Sequence, residues 1–144
     1  MNEILIASDH AGYKLKKILI QELQEEIKFD DLGPFSEDSV DYPDYARKLS
    51  KKIDLKKDLL GVLICGSGIG MSMVANRFKN LRAALCMNNK MSILARQHNN
   101  ANILVLGSRL ISEQEAIKCL LVFLKTNYEG GRHQARLDKF NLVE

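Results

Sequence analysis

Cys65 closes a short apolar run, Gly61-Val62-Leu63-Ile64-Cys65, and stands directly before Gly66-Ser67-Gly68-Ile69-Gly70-Met71-Ser72. The run reads as a buried strand. The three glycines alternating with small residues read as a tight loop, and helix-forming sequence resumes at Met71. A thiol is thereby set at the tip of a strand, beside a loop whose backbone N–H groups lie at the start of a helix. Unpaired donors and the positive end of the helix dipole favour an anion there. The chemistry suggested is a sulfur base or nucleophile next to an anion hole. The competing reading is a small buried hydrophobe ending a strand, as free cysteine often is.

Better-known loops do not fit. A dinucleotide fingerprint beginning at Gly66 requires glycine at position 71, where Met71 stands, and it normally follows the first strand. A phosphatase-like C-x5-R loop requires arginine at that position. The Gly-Lys-Ser/Thr of a Walker motif is absent.

Other residues suit the same chemistry. Ser8-Asp9-His10 follows the first apolar run, where Asp9 either caps the next helix or lines a site. Arg109 follows the last apolar run in Gly107-Ser108-Arg109. Arg132 and Arg136 are four apart and share a helix face, suited to an anion or simply to solvent. His98, in Arg96-Gln97-His98-Asn99-Asn100, is expected just past a helix, where the dipole favours a cation. Tyr42 and Ser67 are plausible polar liners. Cys86 and Cys119 read as small core residues, and the three histidines lack the spacing of a zinc site.

The elements that must position these groups alternate. Strands are expected at 3–7, 28–32, 61–65, 82–86 and 103–106. Leu15, Ile18, Leu19 and Leu23 stripe the helix opened by Gly12, and Pro43 sits in the first turn of a helix reaching about Ile53. Further helices are expected from the glycine loop to about Phe78, over 90–97, through Ile117, Leu120, Leu121 and Leu124, and over 132–140 after the Gly130-Gly131 break. The pattern is α/β: a single-domain, Rossmann-like three-layer sandwich with a five-stranded parallel sheet and a C-terminal helical arm, spanning 1–144. Ligands in open parallel sheets bind beyond the carboxyl ends of the strands, so topology alone gathers Asp9, His10, Cys65 and Arg109.

With 144 residues, 46% hydrophobic and 27% charged, the chain suits one soluble domain. A net charge of +3 without a basic run gives no footprint for nucleic acid, and no apolar stretch is long enough for a membrane span. The start of the chain carries no basic, apolar leader, so a cytoplasmic location is expected.

Taken together, Ser8-Asp9-His10-Ala11-Gly12, Asp41-Tyr42-Pro43, Cys65-Gly66-Ser67-Gly68-Ile69-Gly70, Arg96-Gln97-His98-Asn99, Gly107-Ser108-Arg109 and Glu129-Gly130-Gly131-Arg132-His133 give the chain a resemblance. Along nearly its full length it resembles the type B ribose-5-phosphate isomerases, including their galactose-6-phosphate isomerase relatives. The resemblance implies interconversion of ribose 5-phosphate and ribulose 5-phosphate without metal or cofactor, in a homodimer whose active sites draw on both subunits. It implies Cys65 as the base moving a proton between C2 and C1, and His98 as the acid for opening the sugar ring. Ser67, where many members carry threonine, keeps a hydroxyl beside them. Asp9, His10, Tyr42, Gly66, Ser67, Gly68, Ile69, Gly70, Asn99, Arg109, Arg132 and Arg136 then form the sugar-phosphate site. Members lacking the cysteine use a glutamate later in the loop; here no carboxylate follows, which leaves Cys65 as the base. Two alternatives stay open, a hexose 6-phosphate isomerase (allose or galactose) and a non-catalytic sugar-phosphate-binding protein. The basic segment after Gly131 is expected to reach the neighbouring subunit's cleft.

Overall fold

The computed structural model describes residues 2–143. Eleven elements follow one another as β1 (Asn2–Ser8), α1 (Tyr13–Leu23), β2 (Ile27–Asp31), α2 (Tyr42–Leu55), β3 (Leu60–Cys65), α3 (Ile69–Ala75), β4 (Ala83–Leu85), α4 (Asn89–Asn99), β5 (Ile103–Gly107), α5 (Glu113–Lys125) and α6 (Arg132–Leu137). The five strands form one sheet in the order β2-β1-β3-β5-β4, every neighbour parallel. The α/β three-layer arrangement expected from the pattern is the one formed.

Alternation along the strands assigns the two faces. Ile4, Ile6, Val62, Ile64, Leu104 and Leu106 pack against Leu15, Leu19 and Leu23 of α1 and Ala116, Cys119, Leu120 and Phe123 of α5. Leu5, Ala7, Leu63, Cys65, Ile103 and Val105 pack against Ala46, Leu49 and Ile53 of α2 and Met71 and Ala75 of α3. Each fully buried side chain of this size contributes about 1.5–3 kcal/mol. Cys65 thus stands on the α2–α3 face. The register brings three strand ends level, with Ser8 beside Ile64 and Cys65 beside Gly107.

Helix starts follow local chemistry. The Asn88 side chain accepts from the Met91 N–H at 2.9 Å to open α4, and Ser112 does the same for Glu115 at 3.1 Å in α5. Pro43 occupies the first turn of α2. Asn100, at φ 46°, takes the left-handed conformation that ends α4.

Boundaries differ from the sequence reading in instructive places. The fourth strand is only Ala83–Leu85, with buried Cys86 just beyond it. The glycine-loop helix stops at Ala75 rather than near Phe78, and α6 stops at Leu137 rather than Phe140. The helix expected over 90–97 runs on to Asn99, so His98 lies inside its last turn and not beyond it.

One buried charge went unread in the sequence. Lys16, fully buried in α1, donates to Asp31 Oδ1 at 2.7 Å and to the Pro34 carbonyl at 2.6 Å. Desolvation pushes its ammonium below the usual lysine range, against the pull of Asp31. The pair ties α1 to the end of β2.

Candidate active site

Beyond the carboxyl ends of β1, β3 and β5 lies an open cleft of about 560 Å³. Its lining includes Asp9, His10, Tyr42, Cys65, Gly66, Ser67, Ile69, Gly70 and Arg109, all expected from the sequence. Ala11, Met73 and Leu110 complete it. Sequence reasoning missed these three; Met73 lies one helical turn after Ile69, and Leu110 follows Arg109, which is the only signal they carry.

Cys65 is 5% exposed, in contact with the α2–α3 core on one side and the cleft on the other. The Gly68 N–H donates to its Sγ at 3.2 Å. Gly68 has φ 78°, and a Cβ there would collide with the Leu85 side chain. Only glycine turns this corner so that its amide meets the sulfur. Gly70 is similarly constrained, because a Cβ would overlap the Tyr42 ring. The glycines therefore set the distance between backbone and cleft wall on both sides of the sulfur.

The loop amides are not all available to a ligand. Gly68 is engaged by the sulfur, and the Ile69 N–H donates to Ser67 Oγ at 3.2 Å. An Oγ that accepts this bond can still donate its own hydrogen into the cleft. The array expected across Gly66 to Gly70 is therefore narrower than the sequence suggests.

Asp9 serves both roles that the sequence left open. One carboxylate oxygen accepts from the Gly12 N–H at 2.9 Å, bracing the turn into α1, while the residue lines the cleft. His10 Nδ1 faces the Val40 backbone, 3.1 Å from its nitrogen and 3.2 Å from its oxygen. When Nδ1 accepts from Val40 N–H, the ring proton is on Nε2; when the ring is cationic, Nδ1–H donates to the carbonyl and Nε2 keeps its hydrogen. In these two states His10 offers Nε2–H as a donor; in the neutral tautomer with its proton on Nδ1, that proton goes to the Val40 carbonyl and Nε2 accepts. The Arg109 amide is pinned to the Gly66 carbonyl at 3.0 Å, and its guanidinium lies close against Gly66.

Five expected site residues are absent from the lining of this cleft: Gly68, whose amide is turned to the sulfur, and His98, Asn99, Arg132 and Arg136. His98 and Asn99 end α4, which runs from the carboxyl edge of the sheet to its amino edge. Arg132 and Arg136 lie on α6, with exposed side chains. Asn102, just beyond, accepts at its carbonyl from the Gly61 N–H at 2.9 Å, at the beginning of β3. Four residues of strand, about 13 Å, separate Gly61 from Cys65. One copy of the chain therefore does not unite His98, Asn99, Arg132 and Arg136 with Cys65.

The remaining cysteines behave as core residues. Burial pushes the Cys86 thiol up to about 12 and the Cys119 thiol up to about 11. The three histidines, scattered in sequence, are not all apart in space: His98 and His133 stack with ring centroids 4.4 Å apart, beside Glu129. No helix among the described residues is long and apolar enough to cross a membrane.

Comparison with known proteins agrees with this geometry. Residues 4–140 match the family model described as Ribose/Galactose Isomerase. A probable ribose-5-phosphate isomerase B of Mycoplasma genitalium is 48% identical over 139 residues, covering 94% of this chain and 91% of that protein. The crystal structure of a ribose 5-phosphate isomerase from Thermotoga maritima superposes with a TM-score of 0.94 at 48% identity, covering 98% of each chain. That of ribose-5-phosphate isomerase B from Mycoplasma genitalium, with bound ribulose-5-phosphate, gives 0.91 at 48% identity, covering 96% of this chain and 93% of the other. With the family model matching residues 4–140 and relatives 48% identical along nearly the whole length, this chain belongs to the ribose/galactose isomerase family.

Proposed function

We propose that this protein interconverts ribose 5-phosphate and ribulose 5-phosphate through an enediolate, with Cys65 moving the proton between C2 and C1. The observation that carries the proposal is the Cys65 sulfur, set in a cleft at a strand end with the Gly68 amide 3.2 Å away and Asp9, His10 and Arg109 around it. The ribulose-5-phosphate bound to the Mycoplasma genitalium relative supports the choice of substrate.

The aldose arrives mostly as a closed furanose. His98 gives a proton to the ring oxygen as the anomeric hydroxyl gives its own to water, and the aldehyde is released. The C2 hydrogen, next to the carbonyl, is then acidic enough for a positioned base. The Cys65 thiolate takes it and the electron pair moves onto O1, giving the enediolate; the C2 hydroxyl proton passes to O1, and as C2=O forms the Cys65 thiol returns its proton at C1. The hydroxyl of Ser67 and the amides of Gly66 and Gly70 face the developing oxyanion. A preorganised donor of this kind is worth about 3–4 kcal/mol of barrier. Asp9, Tyr42 and Asn99 orient the sugar hydroxyls. Arg109, Arg132, Arg136 and His10 hold the phosphate, the arginines by bidentate contact. An anchored phosphate keeps the reacting carbons within near-attack distance of the sulfur.

Because one chain leaves His98, Asn99, Arg132 and Arg136 at the opposite edge from Cys65, the working unit is a homodimer. Each cleft receives these four residues from the other subunit. No metal or cofactor takes part in the steps as written.

Turnover of five-carbon against six-carbon aldose phosphates tests the substrate. The proposal expects the pentose phosphate to be preferred by kcat/KM. Preference for allose or galactose 6-phosphate reassigns the substrate, and binding without turnover of either reassigns the class to a sugar-phosphate-binding protein.

A further inference from the structure

The far end of α4 carries a cluster that the proton transfer does not use. The Glu129 N–H donates to the Gln97 carbonyl at 3.1 Å, fastening the segment after α5 to the last turn of α4. Gly130 and Gly131, at φ 66° and 56°, then reverse the chain, and the His133 N–H closes the turn onto the Gly130 carbonyl at 3.2 Å. The outcome is that His133, only 6% exposed, lies face to face with His98, with 18° between the ring planes. His133 Nε2 is buried without a hydrogen-bond partner, with Glu129 Oε2 3.4 Å away.

His98, Glu129 and His133 place their ligating atoms within 4.8 Å of one another, which invites a metal. The stack argues against it. An imidazole binds a metal in its own plane at about 2 Å, and two planes 18° apart at this spacing do not meet that close to the rings.

We propose instead that His133 is a positioning residue for His98: its ring, buried beside Glu129 and stacked on His98, fixes the plane in which His98 presents its proton. The inference rests on His98 being the acid that opens the sugar ring. The physical need is clear, because rotation of an imidazole about its outer side-chain bond is broad and roughly two-fold. A half-exposed ring at a helix end is free to swing, and a buried neighbour stacked on it removes that freedom. A misplacement of about 1 Å costs about a hundredfold in rate.

The test separates ring opening from proton abstraction. Ribulose 5-phosphate has its O5 esterified, so it cannot close a five-membered ring on its C2 carbonyl and enters as the open chain. Exchange of its C1 hydrogen with solvent deuterium needs only the base. Net isomerisation needs the ring step as well. In the dimeric enzyme, His133→Ala is expected to lower turnover at least about tenfold, with deuterium entry at C1 of ribulose 5-phosphate and KM for both sugars within about twofold. His133→Phe, which keeps a stacked ring, is expected to restore turnover to within about threefold of wild type. If His133→Ala fails to fold, His133→Phe and Glu129→Gln carry the comparison, the latter raising the ratio of exchange to turnover. Exchange falling in step with turnover, a rise in KM for both sugars, unchanged turnover in His133→Ala, or a Phe variant impaired as deeply as Ala each overturns the proposal. Absence of exchange in the wild type instead removes the reading of Cys65 on which it stands.

Discussion

The amide of Gly68 points at the sulfur of Cys65, N to Sγ 3.2 Å, from a residue at φ 78°. The contact spans three residues, closes the loop over the strand end and needs a backbone conformation that costs an L-residue about 1–2 kcal/mol. Leu85 fills the space where a Cβ would project. Gly68→Ala is therefore expected to lose about 1–3 kcal/mol of stability and most of its turnover. Thermal melting alongside kinetics checks both, and a variant with normal turnover shows that this amide is dispensable.

A site shared between subunits predicts complementation. Cys65→Ala and His98→Ala homodimers should each be nearly inactive. After subunit exchange, half of the dimers are mixed, and each mixed dimer holds one intact cleft. About a quarter of wild-type activity should return. No recovery after demonstrated exchange places both residues in one subunit's site.

The two core thiols make the fold sensitive to alkali. In the unfolded chain both ionise near 9.0, whereas folded Cys86 holds its proton to about 12 and Cys119 to about 11. Above the lower value the unfolded state releases protons that the native state keeps, so stability falls as pH rises from about 9 to 11. The double variant Cys86→Ala, Cys119→Ala should show a shallower decline in denaturant midpoint over that range. An unchanged slope contradicts the assignment.

Lys16 and Asp31 predict a different asymmetry. Asp31→Asn leaves a buried ammonium without its carboxylate and also weakens the acceptor for the Gly33 N–H. A loss of about 3–5 kcal/mol is expected. Replacing Lys16 by Met in the same chain should recover much of it, since the charge to be compensated is gone. Urea melts of the single and double variants measure the coupling.

The five-stranded sheet, the parallel sense of its strands and the residues at three strand ends could be read from alternation and turn chemistry, because burial on two faces demands near-continuous apolar runs; the strand order could not. Asp9, Cys65 and Arg109 were legible for the same reason: topology gathers strand ends without any side-chain detail. The end of α4 lies two residues beyond the expected one, taking in His98, because Asn100 rather than a glycine ends the helix and no breaker marks the boundary. The His98–His133 stack was invisible, since 34 residues and two further elements intervene and no periodicity links them. The stripe of Leu15, Ile18, Leu19 and Leu23 says nothing of Lys16, whose burial depends on Asp31 and the Pro34 carbonyl, which only the tertiary fold brings near. Local patterns fix elements, while pairings between distant polar groups are set by packing.

The central claim is that the Cys65 sulfur carries the proton. In deuterated buffer, ribulose 5-phosphate incubated with the wild-type enzyme should gain deuterium at C1 by nuclear magnetic resonance, and Cys65→Ala, folded and still binding the sugar, should transfer none. Cys65→Ala exchanging at the wild-type rate, or Cys65→Ser retaining it in full, contradicts the account.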